Sequence, residues 1–409
     1  MKCRFCQSEV SHSFVDLGHQ PPSNAYLTKE QLDLPEVRYP LKAYVCDQCW
    51  LVQLPEHAHA DELFTSDYAY FSSVSSSWVD HARRYVEEAI PRFQLTSDSL
   101  VVEVASNDGY LLQFMKQAGI PCVGIEPTAS TAKASRDKGI ETVEEFFGQE
   151  FAQQFVAERS GVDLLIGNNV LAHVPDLNDF VAGVAAALTK DGVATFEFPH
   201  LMRLVEGLQF DTIYHEHFSY LSFTTVRRLF AEHALRIFDV EELTTHGGSL
   251  RVYATPTDGK QYQATDAVKE LLGRERVAGM QTTAWYDGFQ ARVDAAKNGL
   301  LRFLLDKQAA GETVVGYGAA AKGNTLLNYA GVRADLLPFV CDAASSKQGK
   351  FLPGSHIPIF QPDEINVQRP AIVVILPWNI ADEVRGSLNY IADWGGRFAR
   401  AIPEMEVLT

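Results

Sequence analysis

Two short cysteine pairs constrain this chain more than any other feature. Cys3-Arg-Phe-Cys6 and Cys46-Asp-Gln-Cys49 are both C-x2-C, with 39 residues between them. Each pair can grip a metal from one tight turn, and together they supply the four thiolates of a tetrahedral zinc site. A redox site needs one pair in a thioredoxin-like strand–helix–strand setting, and no such pattern surrounds these. The segment between the pairs carries Pro21, Pro22, Pro35 and Pro40 and could hardly build a core of its own. A bound ion would supply the missing folding energy. Four thiolates leave no open coordination position, so the ion is expected to be structural. His12, His19, His57 and His59 are spare ligands close in sequence. Cys122 and Cys341 stand alone in apolar, strand-like runs and read as buried thiols.

Beyond the cysteines the pattern becomes regular. Val74, Trp78, Ala82, Tyr85 and Ala89 step by three or four, the spacing of an amphipathic helix that Pro91 should end. Buried strands are expected at Leu100–Val104, Cys122–Glu126, Val162–Ile166 and Val193–Phe198, with helical stretches between them. That alternation specifies a parallel, doubly wound α/β sheet. A helical stretch follows, with Phe289, Val293, Ala296, Leu300 and Leu304 on one stripe. Further strands at Thr313–Gly318, Leu337–Asp342 and Ala371–Leu376 then repeat the architecture on a smaller scale. Three units are expected: a zinc-binding module over 1–65, a first α/β domain over 66–258, and a helical bridge with a C-terminal Rossmann-like domain over 259–409.

The formal net charge is −17, and no run of Lys and Arg offers the basic stripe of a nucleic-acid binder. No window holds the roughly 20 apolar residues of a membrane span. The opening residues have no apolar signal-peptide core, so a cytoplasmic location is expected, as a monomer or weak homodimer. A nucleotide ligand is compatible with the acidic balance, because backbone N–H groups and a few cations can hold it.

The turn after the first strand of the α/β domain reads Val101-Val-Glu-Val-Ala-Ser-Asn-Asp-Gly-Tyr110. An acid late in a strand, then a tight turn opening a helix, is what class I methyltransferases use to hold S-adenosylmethionine. Glu103 and Gly109 keep that pattern, whereas Ala105 and Asn107 stand where glycines are common; Ser106 and Tyr110 complete the turn. Glu126, followed by Pro127, ends the next strand and could accept both ribose hydroxyls of a nucleoside. Asn168, Asn169 and His173 follow the strand after that, on the ligand side of such a sheet. The same geometry serves NAD, so a sugar-nucleotide dehydrogenase competes, as does a non-catalytic zinc-bearing scaffold. The dehydrogenase is disfavoured because neither loop shows the full G-x-G-x-x-G spacing with a downstream acid.

The chain resembles the sugar C-methyltransferases of deoxysugar pathways, especially C-3 methyltransferases of nucleotide-linked 4-keto-6-deoxysugars. The likeness rests on the cysteine pairs, Leu17-Gly18 with Asn24-Ala25, Tyr70-Phe-Ser-Ser-Val74, Glu103–Gly109, Asn169–Pro175, Tyr214-His-Glu-His-Phe-Ser-Tyr220, Gly247-Gly-Ser-Leu-Arg251 and Gly316-Tyr-Gly-Ala-Ala-Ala-Lys-Gly323. It implies a zinc module, a middle domain binding S-adenosylmethionine and a Rossmann-like domain, with the sugar nucleotide between the last two. It also implies that Tyr214, Glu216 and His217 lie in the active site.

Carbon methylation needs a carbanion-like nucleophile, and a ketone beside the reacting carbon makes its proton acidic. A base near C-3 and a donor near the C-4 oxygen are then required. His217 is assigned as the base, Glu216 as its orienting charge, and Tyr214 as the hydrogen-bond donor to the enolate oxygen. Gly318, Lys322 and Asn324 belong to a phosphate-cradling loop without the Walker spacing. Tyr68, Tyr70 and Ser72 are expected to line the sugar pocket. The zinc reading is checked by metal analysis: about one equivalent of zinc should accompany the purified protein, and Cys46→Ser should lose it. A metal-free, folded and fully active protein would contradict it.

Overall fold

A computed structural model describes residues 1–57, 71–159 and 161–408. Three sheets organise them. The central sheet has seven strands, in the spatial order Leu235–Leu243, Ser249–Pro256, Leu188–Pro199, Val162–Asn168, Val101–Val104, Cys122–Ile125 and Glu141–Val143. Its last five strands are parallel, while Ser249–Pro256 runs antiparallel between two neighbours. The run Val-Val-Glu-Val is buried along its whole length, as a central parallel strand must be.

The C-terminal sheet orders Ile359–Phe360, Val340–Cys341, Val314–Tyr317, Ile372–Ile375, Arg397–Arg400 and Glu406–Leu408. Only the last pairing is antiparallel. In both sheets the first strand of the unit has the second and third on one side and the fourth and fifth on the other. The turn after each first strand therefore opens at the point where the winding reverses, the place where such sheets bind ligands.

The third sheet is antiparallel and joins His12–Gln20, Tyr39–Val45 and Val52–Gln53 to a strand from far along the chain, Ser219–Tyr220. As its proline content suggests, the inter-cysteine segment makes no core of its own. Phe14, Val15, Leu17, Leu41 and Val45 instead share one core with Phe289, Val293, Leu300 and Leu304 of the Phe289–Ala309 helix. The rings of Phe14 and Phe289 stack at 4.5 Å. Cys3, Phe5, Cys46 and Leu51 pack into the central domain's core. The N-terminal module thus wedges between the two α/β units.

Several expectations need correcting in detail. The first helix spans Ser76–Arg92, so Val74 precedes it and is exposed, and Pro91 lies in its last turn rather than beyond it. The Ser75 hydroxyl, accepting from the Trp78 amide at 3.3 Å, caps that helix. Cys341 is buried as expected, but Cys122 is only half-buried. No helix among the described residues is long and apolar enough to cross a membrane.

Candidate active site

One cavity of about 1040 Å³ lies between the two α/β units and reaches both reversal points. From the central domain its walls include Ala105, Asn107, Tyr110, Glu126, Pro127, Asn168, Asn169 and His173. From the C-terminal domain come Lys322 and Trp378, and between them lie Tyr214, Glu216 and His217.

The first loop shows why its unusual residues matter. Ala105 and Asn107 both have positive φ, 54° and 51°, so they adopt the backbone that glycine would find easier. Asn107 recovers part of that cost locally: its Oδ1 accepts the Ser72 amide at 2.9 Å. Gly109, φ 73°, has no such freedom to change, because a Cβ there would meet Ile140 at 2.5 Å. The Glu126 carboxylate pins the loop, accepting the Asn107 amide at 2.9 Å and the Thr128 amide at 3.0 Å. Glu103 lies behind the wall, fully buried, and burial holds its carboxyl well above the usual range, opposed by a hydrogen bond from Tyr110. Ser106 is buried beneath the loop as well.

The Tyr214–Tyr220 segment is held from outside its own domain. Ser219 and Tyr220 pair with Gln53 and Val52 of the N-terminal sheet, and the Leu54 amide donates to the Phe218 carbonyl at 3.0 Å. Gln53 in turn donates to Cys3 Sγ at 3.2 Å, and the Arg4 guanidinium lies 5.2 Å over the Phe218 ring. Within the segment, His217 Nδ1 faces the Thr212 carbonyl at 2.8 Å. A carbonyl can only accept, so Nδ1 carries the proton and Nε2 accepts from the Tyr214 hydroxyl, also at 2.8 Å. Both Glu216 oxygens accept from Asn24 Nδ2, at 2.8 and 2.9 Å. His173 donates from Nδ1 to the Glu216 carbonyl at 2.8 Å, and its ring lies 4.6 Å from that of His217.

The opposite wall carries the cation. Lys322 Nζ donates to Asn379 Oδ1 at 3.0 Å and lies 4.7 Å over the Trp378 ring. Burial lowers its pKa, opposed by Asp211, whose own carboxyl is pushed up to about 6 by burial and accepts from Trp378 Nε1 at 2.7 Å. Of the expected substrate residues, Ser72 lines the cavity beside the first loop, its amide donating to Asn107 Oδ1. Asn324 lies elsewhere, buried, with its Nδ2 donating to the Ser23 carbonyl at 3.4 Å. Gly318 turns the chain beneath Pro377, which a Cβ would meet at 2.3 Å. Tyr68 and Tyr70, like His59, lie outside the described residues. Of the other spare histidines, His12 faces Asp287 at 3.1 Å.

Comparison with known proteins now decides the family. A C-methyltransferase C-terminal domain matches residues 244–403, a methyltransferase domain 78–239 and a zinc binding domain 3–64. The C-methyltransferase NovU of Streptomyces niveus is 35% identical over 408 residues, covering 100% of this chain and 97% of that one. The chain belongs to the S-adenosylmethionine-dependent C-methyltransferase family. Two solved structures share less. Magnesium protoporphyrin IX methyltransferase of Synechocystis PCC 6803 with bound SAM is 14% identical, with TM-score 0.33, covering 44% of this chain and 81% of that one. A SAM-dependent methyltransferase of Anabaena variabilis is 14% identical, with TM-score 0.35, covering 44% and 86%. Neither adds to the assignment.

The residues of this C-methyltransferase fit both groups its family implies. The four sulfurs of Cys3, Cys6, Cys46 and Cys49 lie within 4.8 Å of one another, and the nearest pairs are 3.5 Å apart. A tetrahedron with Zn–S of about 2.3 Å has edges of about 3.8 Å. For the methyl donor, Glu126 and Asn107 line the cavity at the reversal point, where a nucleoside's hydroxyls need acceptors. The sequence reading missed several wall residues: Asn24, Trp78, His81, His246 and Trp378. His81 and Arg251 hold the Glu197 carboxylate at 2.8 and 2.6 Å, and His246 Nε2 accepts from Asn169 Nδ2 at 2.7 Å. Trp78 and His81 share a helix face by their spacing of three, which could have drawn attention to them.

Four histidines, His215 buried and His173, His217 and His246 half-buried, make the C-methyltransferase's stability depend on pH. Burial lowers His173, His215 and His246 to about 4 and holds His217 well below 6.5. Unfolded histidines bind protons near pH 6.5, so below that value the unfolded state binds more. Stability is therefore complete above pH 6.5 and falls as pH drops toward 4, by up to about 1.4 kcal/mol per pH unit for each histidine. Asp211 and Glu103, raised in the folded state, offset part of this below about pH 6. Urea denaturation at pH 7.5 and 6.0 should show a lower midpoint at pH 6.0, and His215→Phe, which replaces the buried ring by one that cannot titrate, should shrink the difference. Equal midpoints at both values would contradict the neutral, buried state of these rings.

Proposed function

We propose that the enzyme methylates C-3 of a nucleotide-linked 4-keto-6-deoxysugar through an enolate. The observation that carries this reading is the shared cavity. It brings an acid at a strand end, Glu126, a half-buried cation, Lys322, and a tyrosine–histidine pair to one space. When bound, S-adenosylmethionine supplies an electrophilic methyl group, and every other requirement falls to the chain's own residues.

Glu126 accepts the donor's ribose hydroxyls while Ala105, Asn107 and Asn168 shape the space beside it. Lys322, kept in the wall by Asn379 and Trp378, takes the acceptor's diphosphate. The proton leaving C-3 comes to rest on His217 Nε2, the one lone pair of that ring, since Thr212 occupies Nδ1. In the resting site the Tyr214 hydroxyl donates to that lone pair, and it turns its proton to the developing oxyanion as His217 takes the proton from C-3. A neutral histidine is a base throughout the physiological range, and burial, which lowers its pKa, keeps His217 neutral there; the Glu216 carboxylate lines the same cavity. Asn24 fixes that charge by holding both carboxylate oxygens.

Mass spectrometry of enzyme, donor and a panel of 4-keto sugar nucleotides should find the gain of one methyl group in at least one acceptor. His217→Ala should lose roughly 10²–10⁴-fold in turnover with donor affinity unchanged. Lys322→Ala should weaken the acceptor alone. No methylation across the panel would contradict the acceptor class, and full turnover by His217→Ala would remove it as the base.

A further inference from the structure

The C-terminal domain repeats the first loop's hydrogen bonds atom for atom. In the central domain, the Ser106 amide donates to the Ile125 carbonyl at 3.2 Å, and the Glu126 amide to the Val143 carbonyl at 2.9 Å. The Glu126 carboxylate then takes the next loop amide, Asn107, at 2.9 Å, and that of Thr128, two residues on, at 3.0 Å. In the C-terminal domain, the Gly318 amide donates to the Cys341 carbonyl at 2.7 Å, and the Asp342 amide to the Phe360 carbonyl at 3.0 Å. The Asp342 carboxylate takes the next loop amide, Ala319, at 2.7 Å, and that of Ala344, two residues on, at 2.8 Å. Both acids end the second strand of their sheet, beside the strand that leads into the loop.

The sequence carries the matching signature. Gly316-Tyr-Gly318-Ala-Ala-Ala321 is G-x-G-x-x-A, and Asp342 follows 24 residues after Gly318. The downstream acid that the sequence reading did not find is therefore present. In that arrangement a diphosphate sits at the loop and the acid takes a ribose hydroxyl. Oδ1 of Asp342 keeps a further lone pair after its amide contact, while Oδ2 also accepts from Lys347 Nζ at 3.5 Å.

We infer that Asp342 holds the sugar hydroxyl of the acceptor's nucleoside, as Glu126 does for the donor. The inference rests on the acceptor reading above and deepens it. It also orients the acceptor. With the diphosphate at Lys322 and the nucleoside toward Asp342, the hexose points across the reversal point, toward the strand Ile372–Ile375. The residues after that strand, Pro377, Trp378 and Asn379, line the shared cavity, whereas Asp342 does not. The nucleoside thus lies outward and the reacting ring inward, facing Tyr214 and His217. Lys347, 2.9 Å from the Ala319 carbonyl and 3.5 Å from Asp342, lines the cavity between the two.

Calorimetry with UDP and dTDP, each against its 2′,3′-dideoxy counterpart, tests this on the full-length zinc-loaded enzyme. Wild type should bind the hydroxyl-bearing form of its preferred nucleotide roughly tenfold or more tighter, the scale of a hydrogen bond to a charged acceptor. Asp342→Asn should bring the two forms within about twofold while leaving S-adenosylhomocysteine affinity unchanged, which shows that the variant is folded. Equal binding of both forms by wild type, or a gap that survives in Asp342→Asn, overturns the inference. If Lys322→Ala still weakens both forms in that case, the acceptor site stands and only the role of Asp342 falls. No binding of either nucleotide, or binding indifferent to Lys322→Ala, overturns the acceptor reading itself.

Discussion

The strand pairing of Ser219–Tyr220 with Val52–Gln53 is the contact on which the rest of the structure depends. Two residues of ladder would be weak alone, since short isolated pairings are marginal in water. Here both sides are fixed. Gln53 is tied to the Cys3 sulfur and accepts the Arg4 amide at 2.9 Å. Arg4 itself donates to the carbonyls of Leu54 and Pro175, at 2.7 and 2.6 Å. The metal site, the sheet edge and the Tyr214–His217 turn therefore form one rigid sequence of contacts. A zinc ion distant from the chemistry can set the position of the residues that carry it, because little between them can yield.

The second constraint is duplication. Two sheets with the same winding face one another across the N-terminal module, so their ligand-binding crevices open toward a common space. A methyl donor and an acceptor that each bring a nucleoside need two such crevices and one meeting point. Asn24 and Tyr26 join the halves at that point. Tyr26 donates to the Ala319 carbonyl of the C-terminal loop at 2.5 Å and also approaches Asn24 Oδ1, while Asn24 holds Glu216. The C-terminal loop and Glu216 are thus three polar contacts apart.

Much of this was legible in the sequence, for identifiable reasons. Periodicity located the central strands and the stripe on the Phe289–Ala309 helix, since burial on both faces leaves an unbroken apolar run. Thiol spacing marked the metal site, and the position of Glu126 at a strand end marked an acid that lines the cavity. Ala105 and Asn107 looked like departures from a glycine pattern, yet both adopt the glycine-like backbone, so the conformation persisted when the residue type did not. What was not legible is long-range. Asn24 meets Glu216 across 192 residues, and Glu275 accepts from His200 Nε2 at 2.7 Å and from the Phe223 and Thr224 amides at the start of the Phe223–Glu232 helix. Such polar pairs leave no periodic trace. The expected strand Leu337–Asp342 already ended on Asp342, but the loop before it, with Ala321 where a third glycine is common, gave no reason to pair the two.

The central claim is that His217 removes the C-3 proton within a cavity already assembled by the zinc module. The most direct measurement is exchange of that proton with solvent deuterium, with S-adenosylhomocysteine replacing the donor so that no methyl transfer can follow. Mass spectrometry of the recovered acceptor should show deuterium at C-3 with wild type, slower incorporation with Tyr214→Phe and none with His217→Ala. Incorporation by His217→Ala at the wild-type rate would contradict the claim.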